Sequence, residues 1–294
     1  MKKFSQIFQY NPLSSYEGLY GKYKCRAGTT YIGVEIELEE VDIKSGMPSS
    51  IKMTTDGSLK LSGQEFITIP IKFCYLEQEL DRLFGTLSHG TITSRCSTHI
   101  HMNVRDMTSQ ELVKLILIYM LYEKSLFHLS GDRWENIFCV PYYNYPLVVN
   151  EMINDLLNEA FSRYSWSKYY ALNLAPIWGS NVDGEGVAKL GTVEFRHHKG
   201  TKSTSEIIQW VNFLVSLKIA AKKFSLGQLM DFIEEDKTDD QYVSFARLVF
   251  REFTPFIIDQ PTFKQDMVDC NMVLKKIMLS NNLLIKKEIL CVVS

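Results

Sequence analysis

Gly33-Val34-Glu35-Ile36-Glu37-Leu38-Glu39 is the stretch from which the fold class follows. Side chains of an extended strand alternate between faces, so Val34, Ile36 and Leu38 point one way and Glu35, Glu37 and Glu39 the other. The pattern returns in Thr98-His99-Ile100-His101-Met102-Asn103-Val104, where His99, His101 and Asn103 lie opposite Ile100, Met102 and Val104. It returns again in Thr192-Val193-Glu194-Phe195-Arg196-His197, where Glu194 and Arg196 oppose Val193, Phe195 and His197. Taken singly, each segment reads first as an antiparallel strand with one wet face. Taken together, the polar sets are carboxylate, imidazole and guanidinium rather than the Lys, Thr and Ser of an ordinary solvated face. Three strands making that choice predict one shared concave face.

Around these strands the chain punctuates itself clearly. Lys44-Ser45-Gly46-Met47-Pro48 is a turn signal before a short strand near Ile51–Thr55, and Gln64–Ile71 reads as the next strand, closed by Pro70. Asp56-Gly57-Ser58-Leu59 is a tight turn in which Asp56 can cap the backbone. Glu65 enters an otherwise apolar strand, and a carboxylate there is either a ligand or a strand-end residue facing water. The spacing of Leu76, Leu80, Leu83, Phe84 and Leu87 predicts a helix over about Tyr75–Leu87, and Thr108 with Glu111 opens a second helix running to about Leu129. Ser130–Pro146 is an aromatic excursion, followed by a helix over about Leu147–Tyr164. Tyr169–Ala175 and Gly191–His197 read as strands on either side of a loop holding Asp183-Gly184-Glu185-Gly186, and Ser203–Phe224 reads as a helix. Residues 1–30 are expected to be a loose lead-in, 31–224 the main domain, and 225–294 a helical extension with apolar spacing at Met267, Met272, Ile277 and Leu283.

Composition sets the outer limits. Hydrophobic residues make up 46% and charged residues 22%, as in ordinary globular domains, and the net charge of −2 carries no electrostatic footprint for nucleic acid. The six cysteines are scattered without a CxxC pair, so reduced thiols and a cytoplasmic setting are expected. No secretory signal is readable, and the apolar run Leu112–Leu121 is interrupted by Lys114 and far short of the roughly 20 residues that span a bilayer. Neither a nucleic-acid nor a membrane partner is expected, and the sequence does not reveal oligomeric state.

Several carboxylates gathered on one face repel one another unless cations neutralise them. Oxygen-rich ligation suits Mg²⁺ or Mn²⁺, with imidazole shifting the preference towards Mn²⁺ or Zn²⁺. No HExxH helix, Walker A loop or Rossmann glycine fingerprint occurs. Arg196 beside Glu194 turns the face into a phosphate-handling design, because a guanidinium next to a metal cluster can stabilise charge on a moving phosphoryl group.

Gly33-Val34-Glu35-Ile36-Glu37, Asp56-Gly57-Ser58-Leu59, Glu65-Phe66-Ile67, Cys96-Ser97-Thr98-His99-Ile100-His101, Tyr170-Ala171-Leu172-Asn173-Leu174, and Thr192-Val193-Glu194-Phe195-Arg196 with Gly200-Thr201 occur in that order. In this order they resemble the amidoligase family of carboxylate–amine ligases, over about Tyr31–Lys223. The resemblance implies an α+β fold: a curved antiparallel sheet of the glutamine synthetase and glutamate–cysteine ligase type, with helices on its outer face and a helical C-terminal region. It implies Glu35, Glu37, Glu65, His101 and Glu194 as metal ligands for Mg²⁺ or Mn²⁺. It also implies His99, His101, Asn173 and Arg196 around the ATP, with Arg196, Glu37 and Glu65 in catalytic roles. Asp56 and Ser58 match a motif placed near the acceptor.

The reaction implied is two-step. ATP phosphorylates a carboxylate to an acyl phosphate, and an amine of an amino acid, peptide or protein attacks it to form an amide. Two departures stand out: Ser97-Thr98 where the family often has glycine before the first histidine, and His197-His198-Lys199, expected to add positive charge close to the phosphates. The competing expectations are a non-catalytic binding or structural protein on the same fold, or a metal-dependent phosphotransferase or hydrolase. The buried carboxylates argue against the first, since unneeded ones cost stability.

Overall fold

Strand β1 (Tyr31–Ile43) is the axis on which the other strands are laid. The computed structural model describes residues 1–60, 62–161, 168–182 and 185–280. The strands that follow are β2 (Ile51–Thr54), β3 (Gln64–Thr68), β4 (Ile71–Lys72), β5 (Leu87–Thr91), β6 (Ser97–Asn103), β7 (Leu172–Asn173), β8 (Ser180–Val182), β9 (Glu185–Val187) and β10 (Thr192–Lys199). Among the described residues the main sheet runs β2-β3-β1-β6-β10-β7, all antiparallel, with β4 and β5 pairing with the two ends of β1. β8 and β9 form a separate hairpin, and the expected loop residues Asp183-Gly184 lie outside the described residues. Breaks in register between Glu39 and Asp42 and between Phe195 and His198 bend the sheet, which stays curved and open.

The apolar parity set builds the core. Ile32, Val34, Ile36, Leu38, Phe66, Ile100, Met102, Val193 and Phe195 are all fully buried. The helices are α1 (Phe4–Ile7), α2 (Leu76–Thr86), α3 (Ser109–Leu129), α4 (Pro146–Leu157), α5 (Thr204–Lys223), α6 (Leu226–Glu234), α7 (Asp239–Phe250), α8 (Thr254–Ile258) and α9 (Phe263–Ser280). Helix α3 opens on the expected Thr108/Glu111 capping box, and Ser203 caps α5. Both helices face the sheet: the ring of Tyr119 sits 6.0 Å from Phe195, and Trp210 sits 5.0 Å from His197. The far side of α3 is covered too, by Phe250 of α7 against Tyr122 and by a Lys124–Asp269 ion pair to α9. Enclosed on all sides, α3 is apolar almost all round, and Lys114 is accommodated by donating to the Phe224 carbonyl at 2.7 Å. No helix among the described residues is long and apolar enough to cross a membrane.

Three expectations need adjusting. The strand expected over Gln64–Ile71 divides into β3 and β4, since Pro70 has no N–H to give to β1. The strand expected over Tyr169–Ala175 shrinks to Leu172–Asn173, because Leu174 turns helical and Pro176 sits in a 3₁₀ turn. Helix α4 ends at Leu157; Tyr164 and Leu283 lie outside the described residues. The first 30 residues carry little regular structure, yet Phe4 is buried in the main core and Arg26 donates to Ser216 Oγ and the Val249 carbonyl.

His197 and His198 are a correction. Both are buried, His197 against Phe127 and Trp210 on the apolar side, so burial pushes them down to about 3 and about 4 and both stay neutral. They add no positive charge to the opposite face. In the unfolded chain each would take a proton near its ordinary value, so acid favours unfolding as pH falls below about 6.5. Stability should therefore decline between pH 7 and pH 5 by roughly 2 kcal/mol for each such histidine. His197→Phe keeps the ring packing and should flatten this decline, measured as denaturant midpoints at the two pH values; an unchanged slope would refute the neutral assignment.

Candidate active site

Register brings the charged residues together. Across β1 and β6, Glu35 faces His99; across β6 and β10, His101 faces Glu194; across β1 and β3, Glu37 faces Glu65. Gly33 stands opposite His101 and presents no side chain to it; a Cβ there would come within 3.4 Å of the His101 Cβ. The imidazole thus leans towards its carboxylates. His101 Nε2 is 3.0 Å from Glu35 Oε1, and His99 Nδ1 is 3.1 Å from Glu35 Oε2 and 3.5 Å from Glu194 Oε1. His101 Nδ1 meets Thr192 Oγ1 at 3.1 Å.

Glu194 is held from two sides. Arg196 Nη1 donates to Oε1, while Asn173 Nδ2 donates to Oε2 at 2.7 Å. Asn173 Oδ1 accepts the Ala175 N–H at 2.9 Å, so both ends of that amide face protein and Asn173 stands behind Glu194. Glu37 Oε2 accepts both the N–H and the hydroxyl of Ser97, at 2.7 and 2.5 Å. Asp56 forms the expected turn, its carboxylate accepting the Ser58 N–H at 2.6 Å. Glu39, on the same parity, is buried and accepts the Lys60 N–H, tying that turn to β1.

Three overlapping groups of donor atoms result, each within 4.8 Å: Glu35, His101 and Glu194; Glu35, Glu65 and His99; Glu37, Asp56 and Glu65. Their chemistry, carboxylate oxygen with one imidazole or none, fits hard divalent cations. Protonation follows the same geometry. Burial works against charge on Glu35 and Glu194, yet His101 holds Glu35 low, with His99, and Arg196 holds Glu194 low, with His101. His101 is buried as well, but Glu35 and Glu194 outweigh that and lift it to about 9. Glu65 has no such cation. Burial, then Glu35, Asp56, Glu37 and Glu194, push it up to about 8.

A cleft of about 280 Å³ opens onto this row, lined by Glu37 and Asp56 together with the basic side chains of Arg95, Arg133, Lys168 and Arg196. The aromatic excursion forms part of its wall: the Phe138 carbonyl accepts from Arg196 Nε at 3.3 Å, and Arg133 Nη1 donates to the His198 carbonyl. Both ends of the excursion are pinned to α3. Trp134 packs on Phe127 at 4.9 Å, and the buried Glu123 carboxylate accepts the N–H groups of Tyr142 and Tyr143 at 2.8 and 2.7 Å.

Every expected site residue thus lies on one face, with Asn173 behind it rather than exposed to the cleft. Sequence reasoning missed Ser97, although it shares the parity of His99 and His101. It also missed Arg95, Arg133 and Lys168, which come from segments without periodicity. A family model described as "Putative amidoligase enzyme" matches residues 65–218, just over half the chain. No curated protein matches it. Glu35 and Glu37 precede the matched span and reach it through the pairing of β1 with β3 and β6.

The Glu65 proton makes stability depend on pH. With no metal bound, the folded state keeps this proton up to about pH 8, whereas an unfolded glutamic acid loses it near 4.5. Its contribution is complete below about 4.5 and disappears as pH rises through 8. Metal-free Glu65→Gln should match the wild type at pH 5 and unfold a few degrees higher at pH 8, by thermal melt. Equal melting temperatures at pH 8 would count against a crowded carboxylate at this position.

Proposed function

The chain belongs to the amidoligase family, and on that premise we propose that it is an ATP-dependent carboxylate–amine ligase working through an acyl phosphate on the β1–β6–β10 face. A ligase-type enzyme joining a carboxylate to an amine follows from the family itself. The finer reading rests on one observation: three overlapping carboxylate and imidazole groups beside Arg196, at a cleft also lined by Arg95, Arg133 and Lys168.

Glu35, Glu37, Glu65, His101 and Glu194 would hold Mg²⁺ or Mn²⁺. When bound, the cation offsets repulsion between the carboxylate substrate and the γ-phosphate and polarises the phosphoryl oxygens. The remaining work is done by side chains. Arg196, aimed by Glu194 and the Phe138 carbonyl, offers its guanidinium to charge developing on the transferred phosphoryl group. His99, which shares a donor group with Glu35 and Glu65, would add a nitrogen to the cation set, and Arg95, Arg133 and Lys168 line the cleft that a polyanion would enter. Asn173 orients Glu194. For the second step the amine must lose a proton, which a carboxylate near the acceptor pocket would take. Charged groups buried this closely cost stability, which favours a catalytic use over a purely structural one.

Nucleotide binding should require Mg²⁺ or Mn²⁺ and should be lost in Glu35→Ala and Glu194→Ala, by calorimetry on variants whose circular dichroism is unchanged. Full ATP affinity in both would reject the site. ADP release from panels of carboxylates and amines should need one of each; equal release without amine would instead indicate a hydrolase. Arg196→Lys keeps the charge but loses the fork, and turnover should drop on the order of a hundredfold with folding intact.

A further inference from the structure

We infer that Ser97 is a positioning residue that sets two metal ligands at once, fixing which oxygen of Glu37 and which nitrogen of His99 face the cations. This role rests on the reading of the face as a metal site. Ser97 is buried, and its hydroxyl lies 2.5 Å from Glu37 Oε2 and 2.8 Å from His99 Nε2. An ionised carboxylate can only accept, so the hydroxyl proton points at Glu37. The serine oxygen then accepts from His99, which places a proton on Nε2.

Nδ1 is then the nitrogen turned into the site, towards Glu35 Oε2 and Glu194 Oε1, which as carboxylates accept from it when no cation is bound. It also occupies Glu37 Oε2 twice over, since the Ser97 N–H donates to the same atom at 2.7 Å. Oε1 is therefore the Glu37 oxygen left for the group formed with Asp56 and Glu65, while His99 belongs to the group formed with Glu35 and Glu65. A metal-bound imidazole ordinarily gives its other N–H to an acceptor that fixes the ring. Here that acceptor also donates to a ligand of the neighbouring group, which alanine or glycine at this position could not do. A hydroxyl is the smallest side chain able to link the two.

The test uses the full chain with Mn²⁺ as probe. Calorimetry and the electron paramagnetic resonance spectrum should show Mn²⁺ held about 10–100-fold more weakly in Ser97→Ala, with an altered spectrum, and restored to within a few-fold in Ser97→Thr. Independently, ¹⁵N–¹H correlation of the metal-free protein should show the His99 Nε2–H held in its bond to Ser97 in the wild type and lost to exchange in Ser97→Ala. Wild-type affinity and an unchanged Nε2–H signal in Ser97→Ala would overturn the role of Ser97. Failure of the wild type to bind Mn²⁺ would instead remove the metal reading itself, and this role with it.

Discussion

Crowding of carboxylates on one face of a sheet is the constraint on which this molecule is built. Glu35, Glu37, Glu65 and Glu194 come together because antiparallel register brings them there, against their mutual repulsion. What keeps the strands in place is the other face. Sliding any of them by one residue would turn its acids into the core formed with Tyr119 and Trp210 and its aliphatic residues into the cleft. The enclosed, apolar α3 and the electrostatics of the site are therefore two sides of one arrangement.

Much of this was legible in the strand periodicity alone. Parity put Glu35 with Glu37, His99 with His101, and Glu194 with Arg196, and all these pairs share a face. Parity does not say which residue faces which across strands, so the Glu37–Glu65 and Glu35–His99 pairings had to come from the structure. Ser97 is visible by the same rule, but serine is common on wet faces; the two contacts of its hydroxyl make it unusual. Arg95, Arg133 and Lys168 lie in irregular segments that carry no repeating signal. His197 shows the opposite error. Its parity placed it on the apolar side, yet its chemical type invited a charged role, and burial overrides type. His198 follows it inside because the bulge after Phe195 breaks the alternation.

Family membership and geometry divide the evidence between them. The matched span begins at Glu65, so it carries Glu65, His99, His101, Glu194 and Arg196. The two acids of β1 come from outside it. Without them Glu194 and His101 lack their third member, and Glu65 has neither Glu35 nor Glu37 beside it. Strand β1 completes a centre that the matched span holds only in part, and its place between β3 and β6 is what brings Glu65 and the two histidines to its acids.

Glu123 has a consequence for selectivity. By gripping Tyr142 and Tyr143 from inside α3, it makes one end of the excursion part of the scaffold, just as Trp134 on Phe127 does near the other. This stretch of the cleft wall is then anchored at both ends, and on the proposed reading a reactant that meets it would give up its own freedom with less of the wall left to order. New preferences can arise by exchanging side chains between Arg133 and Phe138 while the path of the backbone stays the same, so the reaction and the choice of reactant can diverge separately.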